Sequence, residues 1–234
     1  MAPLIEVRGL EFRYPDGAEA LRGVDLDLYA GETLILLGAN GAGKTTLLLH
    51  LNGLLRAKAG RVDVCGLAVT PNNLAAIRNK VGFVFQDADD QLFMPTVLED
   101  VAYGLLNRGL SAEAARKSAM EALGQVGLSH LAERAPYHLS GGEKRRAALA
   151  GVLAMLPDIL VFDEPTTALD PPGQRSLAAL MRQLAPAKIV STHDAAFARV
   201  IGTRAIFFEK GKVAGAGTVE EVIKKFDWEA HLSA

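Results

Sequence analysis

The sequence predicts an α/β fold: a mostly parallel sheet, preceded by strand-like segments and interrupted by a helical lobe. Three observations predict it. Continuous apolar runs at Thr33–Leu37, Val81–Phe85, Ile159–Phe162 and Ile189–Val190 read as strands buried on both faces, the habit of parallel sheets. Helical patterns separate them, at Thr45–Leu55, Val97–Leu106, Ala112–Val126, Glu143–Leu156 and Gln174–Leu184. The stretch from about Asp87 to Leu156 is mostly helical, whereas both flanks are mixed.

Taken in order, the chain opens with strand-like segments at Leu4–Arg8, Glu11–Tyr14 and Val24–Leu28. The last alternates Val24, Leu26 and Leu28 against Asp25 and Asp27, as a half-buried strand does. Three helix starts carry the hydroxyl-then-glutamate spacing of a capping box: Thr96 with Glu99, Ser140 with Glu143, and Thr218 with Glu221. Near the end, Ala205–Phe208 and Lys212–Ala216 flank a Lys210-Gly211 turn and predict a hairpin. No repeat or low-complexity linker divides the chain. The tail from Phe226 to Ala234, which includes Trp228, carries no functional reading.

The bulk numbers bound the function. At 234 residues the chain can build one substantial core, or one core with a smaller lobe. Half of it is apolar and 22% is charged, the balance of a folded globular protein. A net charge of −2 argues against general nucleic-acid affinity, which needs a basic face. One cysteine, Cys65, allows neither an intrachain disulfide nor a thiolate metal cage and suits a reduced setting. The N-terminus has no basic segment followed by an apolar one, and no uncharged stretch approaches the ~18 residues of a membrane span. A soluble or peripheral, cytoplasmic protein is expected. The mildly positive mean hydropathy hints at an apolar surface kept for a partner.

The strongest motif is Gly38-Ala39-Asn40-Gly41-Ala42-Gly43-Lys44-Thr45, a phosphate loop between a buried strand and a helix. Its glycines let backbone N–H groups turn toward phosphate oxygens, and the helix N-terminus adds partial positive charge. Lys44 is expected to neutralise the β- and γ-phosphates and Thr45 to hold Mg²⁺, with Thr46 beside them in the nucleotide-binding set. The run Ile159-Leu160-Val161-Phe162-Asp163-Glu164 is an apolar strand ending in two acids. Adjacent strand residues point to opposite sides, so the acids have separate tasks. Asp163 suits the Mg²⁺ shell, and Glu164 is placed to polarise a water for attack on the γ-phosphate. A third motif, Leu139-Ser140-Gly141-Gly142-Glu143, reads as a capped helix start. It also reads as a second phosphate-binding feature, because its glycines bare N–H groups at a positive helix end.

In this order the phosphate loop, Gln86, Ser140-Gly141-Gly142, Asp163-Glu164-Pro165-Thr166, Ala168-Leu169-Asp170 and His193 resemble the ABC ATPases over nearly the whole chain. The resemblance implies a P-loop NTPase core of the ABC ATPase type with an N-terminal antiparallel β region and an inserted helical subdomain. It implies one domain over residues 1–234, with the α/β core at about 1–86 and 157–234 and the helical lobe at about 87–156. It further implies a head-to-tail dimer with ATP between one subunit's phosphate loop and the other's Ser140, Gly141 and Gly142. Asp170 would contact the opposite subunit and His193 would grip the γ-phosphate. Gln86 joins both the catalytic set and the Mg²⁺ shell. Tyr14, before a Pro15-Asp16-Gly17 turn, stands where the family places an aromatic that stacks on adenine; an ordinary strand-edge tyrosine is the alternative. Glu143 departs from the glutamine of many members, but either residue can cap the helix.

Phe85-Gln86-Asp87-Ala88-Asp89-Asp90-Gln91-Leu92-Phe93 is similar to the ATPases of energy-coupling factor importers for cobalt, nickel or vitamins such as biotin, and Lys144-Arg145-Arg146 points the same way. The resemblance implies a transmembrane coupling protein whose arginines meet Asp87, Asp89, Asp90 and Gln91, together with a substrate-binding membrane subunit. A solvated acidic turn is the alternative. The expected function is the ATP-hydrolysing motor of such an importer, for cobalt or nickel, working as a homodimer with ATP and Mg²⁺. A biotin-type system, an ordinary ABC importer, a soluble ABC protein of ribosomes or DNA, and a small-molecule kinase are the rivals.

Overall fold

β3 (Thr33–Leu37) is apolar along its length, and the computed structural model, which describes residues 2–228, buries all five of its residues. It lies between two parallel neighbours, β8 (Ala187–Thr192) and β9 (Arg204–Glu209). With β6 (Val81–Val84), β7 (Ile159–Asp163) and β10 (Lys212–Gly217) they form a six-stranded sheet in the order β10-β9-β3-β8-β7-β6, antiparallel only at the β9–β10 hairpin. The hairpin turns through Lys210 and Gly211, both at positive φ, a shape that matches the twist of its strands.

Alternation along these strands feeds two separate cores. Leu34 and Leu36 of β3 join one, whereas Ile35 and Leu37 join the other. The first core is shared with α1 (Lys44–Leu51) and with a four-stranded antiparallel sheet, β2-β1-β4-β5. That sheet comprises β1 (Ile5–Arg13), β2 (Glu19–Leu28), β4 (Ala59–Val64) and β5 (Leu67–Ala68). The second core lies under α3 (Val97–Asn107), α4 (Ala112–Gln125) and α5 (Gly141–Ala154), which pack on one another as the helical lobe. It continues under α6 (Pro171–Gln183), α7 (Ala195–Ile201) and α8 (Val219–Lys225).

Several elements differ from the sequence reading. The segments expected at Leu4–Arg8 and Glu11–Tyr14 are one strand, β1, whose pairing jumps from Val7 opposite Leu26 to Leu10 opposite Val24 across a bulge at Gly9. β4 and β5 escape a pattern search because Ala59, Gly60 and Arg61 are all exposed, so no alternation shows until Val62. α2 (Leu74–Lys80) and α7 are seven-residue helices, too short for a clear period. The helix expected to reach Leu55 stops at Leu51, before Asn52 and Gly53. All three capping boxes form, with Thr96, Ser140 and Thr218 each accepting from the backbone N–H three residues on. Among the described residues no helix is long and apolar enough to cross a membrane.

Candidate functional site

The C-terminal ends of β3, β6, β7 and β8 lie side by side, and four sequence motifs leave the sheet there. This is where an open parallel sheet places its ligands. From β3 the chain turns through residues 38–43 into α1. Gly38 and Gly43 are both required by the turn: each has positive φ, and a Cβ would come within 2.3 Å of the Phe208 carbonyl oxygen at Gly38 or 2.5 Å of the Ala20 carbonyl oxygen at Gly43. Gly43 caps α1 with no side-chain acceptor, and no acidic residue occupies the first turn, so the positive helix end is left for an outside anion. Ala42 is tied down from both sides, its N–H donating to Ala39 and its carbonyl accepting from Gly211. A cleft of about 490 Å³ opens beside the loop, lined by Tyr14, Asn40, Gly41, Lys44, Thr46, Glu164 and others.

Two charges meet at the cleft floor. Lys44 is only 5% exposed; its Nζ donates to the carbonyls of Gly38 (2.6 Å) and Ala39 (3.1 Å) and lies 3.2 Å from Glu164 Oε1. That carboxylate oxygen is buried and has no hydrogen bond, so the pair is held by charge alone. The other oxygen, Oε2, lies 2.8 Å from His193 Nδ1 and also accepts from the His193 backbone N–H at 3.3 Å. Glu164 thus spans from the phosphate-loop lysine to the histidine after β8. Its backbone is left-handed, φ 43°, pinned by its N–H donating to both the carbonyl and the hydroxyl of Ser191.

The same Ser191 hydroxyl donates to Asp163 Oδ1 at 2.6 Å, so one serine on β8 sets both acids. Asp163, Thr45 and Gln86 line an adjoining cleft together with Asp87 and Asp90. One carboxylate, one hydroxyl and one amide are hard oxygen donors. They fit Mg²⁺, which takes one or two carboxylates and completes its shell with phosphates and water. Among the described residues no cluster of three or more His, Cys, Asp or Glu forms a metal cage. Tyr14, just past β1, lines the nucleotide cleft with its hydroxyl 3.0 Å from Thr46 Oγ1 and its ring edge-on to Phe12.

Comparison with known proteins assigns the family. The family profile described as ABC transporter matches residues 21–167, more than half of the chain. The chain belongs to the ABC transporter family. This ABC protein is 46% identical over 227 residues to the energy-coupling factor transporter ATP-binding protein EcfA of Methanosphaera stadtmanae, a match covering 95% of this chain and 82% of that one. Among solved structures it is similar to cbiO1 from Clostridium perfringens, described as part of the ABC transporter complex cbiONQ. That match has a TM-score of 0.87, 33% identity, and coverage of 97% of this chain and 93% of the other. An ATP-binding cassette solved as a dimer in a post-hydrolysis state with ADP and Pi matches with a TM-score of 0.83 and 31% identity, over 92% of this chain and 98% of that one. The ABC chain is an ATPase that binds ATP with Mg²⁺ and hydrolyses it.

The remaining sequence-derived residues of this ABC ATPase lie elsewhere. Ser140, Gly141 and Gly142 open α5 and do not line the nucleotide cleft of their own chain. Asp170 caps α6, accepting from the Gly173 N–H, and the preceding Leu169 packs near Gly142. A Cβ at Gly141 would meet nothing within 4 Å, so the backbone there is open to a ligand. The residues expected to dock a partner are partly occupied. Gln91 turns inward, its Oε1 accepting from the Phe85 N–H and its Nε2 donating to the Phe83 carbonyl, so it clamps the end of β6. Asp87 accepts from the Asp89 N–H, and Asp89 pairs with Lys144 at 2.6 Å. Asp90 is exposed at the cleft rim.

Sequence reasoning missed Arg145 as a site residue. Its guanidinium, on α5 and 7% exposed, donates to the carbonyls of Gln86 (3.0 Å), Thr167 (3.0 Å) and Glu164 (3.4 Å). Burial pulls its pKa down while Asp87 acts the other way. The only signal in the sequence was a basic run after the glycines, which normally means a solvated face.

Proposed function

We propose that this ABC ATPase is the motor subunit of an energy-coupling factor importer, with cobalt or nickel as cargo. It works as a homodimer at the cytoplasmic face of the cell membrane, beneath a transmembrane coupling protein and a substrate-binding membrane subunit. The observation that carries the reading is the surface that follows Gln86. The acidic turn from Asp87 to Asp90 leads into a groove lined by Gln91, Leu92, Phe93, Asp100, Tyr103 and Met155. Phe93 is 62% exposed and lies edge-on to Tyr103, and Asp100 Oδ2 is buried with no hydrogen bond. A groove with apolar walls, Asp100 and Arg78 in its lining and an acidic turn beside it suits a short helix that carries an arginine among apolar residues. The similarity to EcfA and to cbiO1 supports the same branch.

The site gives each residue a task in this reading. Lys44 and the backbone N–H groups of residues 39–45 bind the phosphates, and Tyr14 takes the adenine. Thr45, Gln86 and Asp163 would hold Mg²⁺, which when bound neutralises charge on the phosphate oxygens. Glu164 orients a water and takes its proton as the water oxygen bonds to the γ-phosphorus and the bond to ADP breaks. His193 holds Glu164 and reaches the γ-phosphate. Ser140, Gly141, Gly142 and Asp170, away from their own cleft, close the cleft of a second copy.

The test is to tag the chain in its native cell, extract the membranes in mild detergent and identify what copurifies by mass spectrometry. A coupling protein together with a metal-binding membrane subunit supports the reading. A vitamin-binding subunit corrects the cargo, and a permease with a separate binding protein corrects the branch. Recovery only with ribosomal or DNA-associated proteins overturns the transport role.

A further inference from the structure

The end of the described chain reaches the catalytic site. After α8, Phe226 stacks on Phe207 of β9 with ring centroids 4.0 Å apart and planes 6° from parallel, and Trp228 meets the same ring edge-on at 5.3 Å. Trp228 is 6% exposed, and its indole Nε1 donates to the His193 carbonyl oxygen at 2.9 Å. The expected tail of unassigned role therefore holds the backbone of the residue whose imidazole and N–H both contact Glu164. Residues 229–234, the rest of that tail, lie outside the described residues. Trp228 also lines a cavity of about 590 Å³ together with Ala39, Asn40, Gly41 and Ala42 of the phosphate loop.

We propose that Trp228 is a positioning residue for ATP hydrolysis, fixing the loop after β8 so that His193 presents its imidazole to Glu164 and to the γ-phosphate. The inference rests on the role proposed for His193. An indole is suited to the task. It has a rigid apolar body that fills the gap against Phe207, and its donor can reach one acceptor only from that packed position. His193 is 44% exposed at its side chain; Glu164 accepts from its backbone N–H and meets its imidazole, and the Trp228 bond restrains its carbonyl. Nucleotide binding that moves the imidazole off Glu164 must also disturb the hydrogen bond at Trp228.

Trp228 is the only tryptophan in the chain, so its emission reports the contact without labelling. The test uses the full chain. In the Glu164→Gln variant, adding ATP with Mg²⁺ is expected to shift the emission, and the additional change His193→Ala is expected to abolish the shift. Emission indifferent to ATP, or a shift that survives loss of His193, overturns the proposal, the second because it would report the neighbouring phosphate loop instead. In the otherwise native chain, Trp228→Phe keeps the aromatic body and removes the donor. Turnover is expected to fall about fivefold with KM for ATP held within about twofold. In a His193→Ala background the same change should cost nothing more; equal losses in both backgrounds assign Trp228 to general stability and overturn the proposal. If His193→Ala alone leaves turnover intact, it is the role of His193 that fails.

Discussion

Glu164 holds a backbone conformation that non-glycine residues rarely adopt, and it places a carboxylate between a buried lysine and an imidazole. Such local strain is held only where the surroundings over-determine it, here by the Glu164 N–H donating to both the carbonyl and the hydroxyl oxygen of Ser191. Glu164→Gln keeps the length and most of the contacts but cannot accept a proton. ATP binding should persist, while single-turnover hydrolysis falls about a hundredfold or more; near-native hydrolysis would move the general base elsewhere. Asp100 makes the opposite compromise. Burial raises its pKa, and the Phe93 and Met94 N–H groups offset this only in part. A carboxyl whose folded pKa lies above its unfolded value of about 3.9 favours the fold when protonated and loses that advantage as pH rises through the folded pKa. Asp100→Asn keeps an acceptor for both N–H groups, so it should raise the melting temperature at pH 7, with the gain vanishing below about pH 4. The motif residues were legible because phosphate chemistry limits which side chains can serve. Ser191 and Arg145 were not, because they act through backbone groups and neighbours that only the fold assembles.

Among the elements, α5 does the most joining. Its N-terminus carries the Ser140–Glu143 capping box, which holds the Glu143 carboxyl below the usual range through bonds to the Ser140 hydroxyl and N–H. One turn further, Arg145 grips three carbonyls on two segments, the one that follows β6 and the loop that follows β7. A lysine keeps the charge but not the planar fork, so Arg145→Lys should lose at least one of these bonds. The expected cost is about 2 kcal/mol, read as a lower denaturant midpoint with an unchanged slope. Long periodic helices such as α3 and α4 were legible, as were the wholly apolar strands. β4, whose first three residues are exposed, and the seven-residue α2 and α7 were not, since their stability comes from packing and not from local pattern.

For the whole molecule, what matters most is that the motif residues do not all line one cleft. The cleft holds Lys44, Glu164 and Gln86, whereas Ser140 and Asp170 cap helices and do not line it, a separation that the family resemblance implies and residue patterns alone do not show. The acidic turn is divided too. Asp89 is paired with Lys144 on the same chain, an exposed contact contributing up to about 1 kcal/mol, while Asp90 lies exposed at the rim. Asp90→Lys should therefore leave ATP binding unchanged and weaken copurification with the membrane partner. Asp89→Lys should do the same and also lower stability slightly through repulsion of Lys144. Assembly unaffected by either change would return the turn to a solvated role.

The placement of β3 also constrains how the protein comes into being. The strand that feeds the phosphate loop has no neighbour from its own half of the chain: Thr33 pairs with Lys188, and Leu34 pairs with both Ile189 and Arg204. During synthesis the loop sequence emerges well before the strands that fix it. Pairings this distant in sequence are slow to close. The nucleotide site is therefore a late product of folding, and a growing chain that stops short of β9 carries the phosphate-loop sequence without the sheet that gives it shape.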